Sequence, residues 1–211
     1  MTSGFFYYLT HPEAVIFAVA TALLVPVLVL EVLGLVLVVY EAGRASAEGW
    51  WRWRRDEPDV EVHSQLARES IRAGKFADAV THLQTLFEGT AAGRLPALLG
   101  DLQTLDRVRA AKALDEVDLS VRNRLDRTRV LVRVGPMLGL MGTLIPISPA
   151  LVGLASGDIQ TLSDNLVVAF STTVVGLFIG AVAYVVSVVR ERFYDKDTSD
   201  AEYVLERLGS T

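Results

Sequence analysis

The sequence predicts an all-α membrane protein with three transmembrane helices and a helical cytoplasmic insertion between the first and the second. Three observations carry this. Hydrophobic residues make up 51% of the 211 and mean hydropathy is positive, yet 21% of the residues are charged. The two kinds are segregated. Residues 14–40 hold one acid, Glu31, and no base, while residues 134–157 and 165–189 hold no Asp, Glu, Lys, Arg or His. Each run reaches the ~20 helical residues that a hydrocarbon core of about 30 Å requires. Finally, all 20 Lys and Arg fall between Arg44 and Arg133 or from Arg190 onward.

Basic residues near membrane ends stay cytoplasmic, so the layout predicted is that of a multi-pass protein of the cell (inner, cytoplasmic) membrane. Residues 1–13 form an extracytoplasmic N-terminus and 14–40 the first span. Residues 41–133 form the cytoplasmic helical domain and 134–156 the second span. A short extracytoplasmic link, 157–163, leads to the third span, 164–189, and to a cytoplasmic tail, 190–211. The first apolar run has no basic flank before it and is too long for the apolar core of a signal peptide, so it is expected to stay in place as a span. Trp50, Trp51 and Trp53, interleaved with Arg52, Arg54 and Arg55, have the composition of an interfacial anchor.

Residues 59–133 are expected to be helical. Segment 60–73 ends at Gly74, and Phe76, Ala79, Val80, Leu83 and Leu86 then recur at helical spacing up to Gly89, which reads as a helical hairpin. Pro96 fits the first turn of a further helix that runs from about residue 97 into the membrane. Its seam is Leu98, Leu102, Leu105, Val108, Leu114, Val117, Val121 and Leu125.

Several functions are disfavoured. There is no Cys, which excludes disulfides and thiol chemistry. The net charge of −5 suggests no nucleic-acid partner. The only histidines are His11, His63 and His82, read as surface or packing residues, and no phosphate-binding glycine loop appears. Neither a catalytic constellation nor a metal site nor a cofactor is expected.

The second and third spans carry the chemistry. Gly135, Gly139, Gly142, Thr143, Pro146, Pro149 and Gly153 fall at steps of three and four. Asn165, Ala169, Thr172, Thr173, Gly176, Gly180, Ala183 and Ser187 do the same on the third span. Small residues at such spacing let helix backbones approach closely. In one reading the stripes are helix contacts, with Gly135, Gly139, Gly142, Gly176 and Gly180 packing. In the other, Thr143, Ser171, Thr172 and Thr173 line an ion pathway, and Pro146 and Pro149, which free backbone carbonyls near Thr143, shape a pore. Hydroxyls can hydrogen-bond water or a carboxylate but do not hold a proton near neutral pH, so a proton path through them needs an acid from elsewhere. Glu31 is an intramembrane acid, which by default is a functional candidate. The alternative is that it lies in the cytoplasmic half of a helix kinked at Pro26 and faces water or a basic partner. Its helix lacks a small, polar stripe, which predicts a peripheral position.

The segment Gly135-Pro136-Met137-Leu138-Gly139-Leu140-Met141-Gly142-Thr143-Leu144, followed by Ala169-Phe170-Ser171-Thr172-Thr173-Val174-Val175-Gly176-Leu177, resembles the MotA/TolQ/ExbB proton-channel family. The resemblance covers residues 120–190 or so, and three spans are similar to its TolQ/ExbB branch. It implies a homopentameric ring whose second and third helices surround the single-span helices of an ExbD/TolR/MotB-like partner dimer that brings the protonatable Asp. The family's pathway threonines carry over to Thr143 and Thr173. Two departures stand out. The acid of the ExbB type five positions before the helix-three threonine is Val168 here, and Ile145-Pro146-Ile147-Ser148-Pro149 replaces the usual glycine-containing stretch. The implied function is that of a ring-forming subunit of a proton-driven membrane motor. A non-conducting membrane scaffold and a passive ion channel are the alternatives, and an enzyme is not expected.

Overall fold

The computed structural model describes residues 12–54, 59–100 and 107–209. Every regular element among them is a helix: α1 (Pro12–Ala22), α2 (Leu24–Arg54), α3 (Val60–Arg72), α4 (Phe76–Phe87), α5 (Leu95–Leu99), α6 (Arg107–Ser156) and α7 (Ile159–Gly209). Three helical stretches are long and apolar enough to cross a membrane: Val15–Arg54, Val108–Ser156 and Ile159–Leu208. Residues 1–11, with His11, and Arg55 lie outside the described residues, as do Leu102 and Leu105 of the expected seam. The chain divides into two compact units, one of Met1–Gly43 with Thr128–Val185 and one of Arg44–Arg127 with Val186–Thr211.

In the first unit the opening apolar helix is broken at Leu23, between α1 and α2. Pro26 accounts for the break. Its ring has no N–H for the Ala22 carbonyl and crowds that carbonyl, four residues back. Beyond the break, α2 turns one narrow seam inward: Val27, Glu31, Gly34, Val38 and Glu41 are buried, while Val25, Val29, Val32, Val36 and Val39 are exposed. The seam steps by four and three, the spacing by which one side of a helix meets another helix. Val38, Ile179 and Ala183 form the centre of this unit, with Leu35, Leu131, Val132, Val175 and Val182 packed around them.

The second unit is a helical bundle. Asp59 caps α3 by accepting the Glu61 N–H at 2.9 Å. The turn expected at Gly74 is present. Gly74 has φ of 73°, its N–H reaches the Ile71 carbonyl, and the Lys75 N–H reaches Ser70, a helix C-cap that favours glycine. Ala67, Ala79, Leu83, Leu86 and Phe87 of the hairpin share a core with Leu95 and Leu99 of α5, Ala113 and Val117 of α6, and Ala201, Val204, Leu205 and Leu208 of α7. His63 and His82 lie with ring centroids 5.9 Å apart between α3 and α4. Trp51 packs over Gly89, where a Cβ would lie 2.2 Å from the ring. Trp50 and Trp53 are exposed, and the Arg54 guanidinium sits 4.7 Å from the Trp50 ring centroid.

Three sequence expectations change. The helix expected to run unbroken from about residue 97 is interrupted: α5 ends at Leu99, and Gly100 has φ of 65°, outside the helical region. The α6 seam begins at Ala113, because Val108 is 76% exposed. Helix α7 starts at Ile159, directly after a turn at Gly157 and Asp158, and runs on to Gly209, past Arg190 where the helix was expected to end. At 51 residues α7 is about 77 Å long, well beyond a bilayer core. Its final turns extend the second unit's core.

Candidate ion-pathway site

The candidate site belongs to the first unit and is built on the crossing of α6 and α7. Glycines make the crossing close. A Cβ on Gly176 would lie 2.7 Å from the Gly135 carbonyl oxygen and from the Gly139 Cα. A Cβ on Gly139 would lie 3.0 Å from the Thr172 carbonyl oxygen, and one on Gly180 would lie 2.7 Å from the Pro136 ring. Backbone therefore rests on backbone, the geometry that small residues at four-residue spacing permit. Gly153 plays the same part near the helix ends, where its Cβ would meet Thr161 at 3.1 Å.

The four hydroxyl residues do not share one environment. Thr172 is 5% exposed, its Oγ1 donates to the Ala169 carbonyl at 2.9 Å, and it presses on Gly142. It fills the helix contact. Thr143 is half-buried, with its Oγ1 donating to the Leu140 carbonyl at 2.7 Å. Thr173 is also half-buried and donates to Ala169 at 3.3 Å. Ser171 is exposed and donates to Val167 at 2.7 Å. Because Gly139 abuts Thr173 and Gly142 abuts Thr172, the adjacent Thr143 and Thr173 stand at the same level on neighbouring helices. Each hydroxyl keeps acceptor lone pairs while its proton serves its own helix.

Pro136, Pro146 and Pro149 all lie inside α6, which runs continuously through them. Each removes an N–H, so the carbonyls of Val132, Gly142 and Ile145 lose their usual i+4 donors. The Gly142 carbonyl thereby becomes an additional acceptor one residue from Thr143. At the entry to α7, Asp158 accepts the Thr161 N–H at 3.0 Å and the Thr161 hydroxyl. These hydrogen bonds, the hydroxyl's first, hold the Asp158 carboxyl below the usual carboxylate range.

Glu31 is buried in the first unit. It is 3% exposed, and its carboxyl faces the Gly176 main chain. Three residues on, Gly34 faces Ile179, whose Cδ1 would be 3.4 Å from an added Cβ. Helix α2 therefore brings its one mid-span acid onto α7. A signal was present in the sequence: Gly34 and Glu31 share one seam with Val27 and Val38.

These features define a polytopic helical membrane protein with a glycine-packed, hydroxyl-bearing helix pair. The chain belongs to the MotA/TolQ/ExbB proton channel family, whose model matches residues 90–202. That match spans α6 and most of α7, including the α6–α7 glycine contacts and all four hydroxyl residues, but not α2 with Glu31 and Gly34. No curated protein and no solved structure matches the chain.

Proposed function

We propose that this chain is the ring-forming subunit of a proton-driven membrane motor. Five copies surround the single-span helices of an ExbD/TolR/MotB-like dimer, and that partner supplies an Asp. The N-terminus lies outside and the basic segments lie in the cytoplasm, as the distribution of Lys and Arg favours. The observation that carries the reading is the pairing of Thr143 and Thr173, two half-buried hydroxyls at one level on glycine-packed helices. In a ring, such a pair would present acceptors to a carboxylic acid on an enclosed helix.

In this mechanism the partner's Asp accepts a proton from outside while near Thr143 and Thr173. The neutral acid then prefers a different contact around the ring, and it releases the proton inward after moving. The energy is adequate. One charge crossing ~100 mV yields about 2.3 kcal/mol, whereas a membrane hydrogen bond contributes ~0.6 kcal/mol. One transfer can therefore exchange a few weak contacts but cannot separate backbones packed as closely as α6 and α7.

A structural scaffold is the second reading, favoured by one observation: each of the four hydroxyls already donates to a carbonyl of its own helix. Co-purification with a single-span protein carrying an Asp near the start of its span, followed by native mass measurement, separates the two. Five copies with two of the partner are expected. A stable complex with a different count, or no partner at all, would reject the ring.

A further inference from the structure

Glu31 is the one Asp, Glu, Lys, Arg or His in residues 14–40, and it is buried where no charge answers it. Its Oε1 has no hydrogen-bond partner among the described residues. The carboxyl faces the main chain of Gly176. The same glycine is pressed from another direction by Gly135 and Gly139. Having no side chain, Gly176 leaves its backbone open to both α6 and the acid.

Among the described residues, no charged group faces Glu31 from the elements packed on it. Helix α7 has no Asp, Glu, Lys, Arg or His between Asp164 and Arg190, and its Tyr184 is exposed. Helix α6 has none between Arg133 and its end at Ser156, and Arg133 is exposed. On α2 itself the next acid, Glu41, lies ten residues on, about 15 Å along the axis. The Oε1 is covered by atoms of this chain. An isolated carboxylate in such a place is costly, whereas a neutral acid needs only hydrogen-bond partners. Hard cations require a shell of oxygen ligands. The group placed against the Glu31 carboxyl is the Gly176 main chain, not a shell of oxygen side chains.

We propose that Glu31 is a proton-binding site of this chain, one carboxyl per copy, that takes up and releases a proton beside Gly176. Uptake converts the carboxylate to the neutral acid and release returns the proton to water, with no other group changed. The site lies on the α2 side of the α7 turn that carries Thr172 and Thr173. It stands on this chain alone and does not depend on the partner or the ring.

Infrared difference spectroscopy of the full chain in lipid nanodiscs tests it. The expected result is one protonated-carboxyl C=O stretching band in the wild-type minus Glu31→Gln difference, which cancels the other Asp and Glu, and this band shifts in D2O and fades as pH rises. If Glu31→Gln fails to fold, Glu31→Asp replaces it, and the band then appears in the difference as a shifted pair. No band at any pH overturns the proposal, as does a band unchanged by pH, which marks a permanently neutral structural acid. Loss of the band when Na⁺ replaces K⁺ at fixed pH overturns it too, by assigning the site to a metal cation. None of these outcomes bears on the Thr143 and Thr173 pathway, which is read by proton flux.

Discussion

Replacing Gly176 by Ala tests the helix crossing with a single methyl group. The added Cβ would lie 2.7 Å from both the Gly135 carbonyl oxygen and the Gly139 Cα, and 2.8 Å from the Gly139 nitrogen. All three are backbone atoms, so no side chain can rotate away. Reaching an ordinary contact of 3.4 Å requires the helices to part by roughly 0.7 Å, since 3.4 − 2.7 = 0.7. Overpacking of this kind costs about 1–3 kcal/mol. Gly43, in α2, is the control, because nothing lies within 4 Å of its added Cβ. There Ala should be neutral or should stabilise by up to ~1 kcal/mol through helix propensity. The two substitutions thus differ in sign. Unfolding in mixed micelles by SDS titration, followed by tryptophan fluorescence, measures both. If Gly176→Ala unfolds at the wild-type SDS fraction or above, the backbone contact described for α6 and α7 is wrong.

Two further predictions concern the second unit. Tyr203 and Arg207 donate to the exposed Glu61 carboxylate and hold its pKa down to about 2. A depressed carboxyl adds stability above its unfolded value, ~4.3, and loses that stability as pH falls toward the folded value. Melting temperature should therefore drop between about pH 4.5 and pH 2, and Glu61→Gln should flatten that part of the profile; an unchanged profile would show that the contacts do not persist. Arg52 donates to Asp197 at 2.9 and 2.6 Å, and the Ala91 N–H shares the same carboxylate at 2.6 Å. With Asp197 only 4% exposed, Arg52→Leu strips its cation and should cost about 1–3 kcal/mol, read as a lower melting temperature that Asp197→Asn in the same chain partly restores.

Much of the fold was legible because its signals are local. A run without charges longer than 20 residues marks a span whatever it packs against, and the Gly74 turn and Pro26 break follow from single residues. The α6–α7 crossing was legible too, since glycines at four-residue spacing leave few other uses. The facing of α2 was legible only through Glu31 and Gly34, which share one seam. The rest of that helix is apolar on every side, so hydrophobicity points to none, and the seam is filled by the partner helix, where Gly176 leaves room for an acid. Adjacent hydroxyls raised the same difficulty. Thr172 and Thr173 are one residue and about 100° apart on α7, and only the position of Gly142 puts the first into the helix contact. The length of α7 was missed because the end of the apolar run was read as the end of the helix. Ala201, Val204, Leu205 and Leu208 are spaced for one helical face, but their partners lie in the hairpin, more than a hundred residues earlier.

Proton flux through the reconstituted complex tests the central claim most directly. Vesicles containing this chain with the proposed single-span partner, given a potential and a pH-sensitive dye, report the rate. The account predicts that wild type conducts, and that Thr143→Val together with Thr173→Val reduces flux at least about tenfold, equivalent to ~1.4 kcal/mol, while the complex still assembles. Thr172→Val, which alters a hydroxyl buried in the helix contact, should leave flux near the wild-type rate. Undiminished flux and partner-dependent function in the double variant would contradict the account.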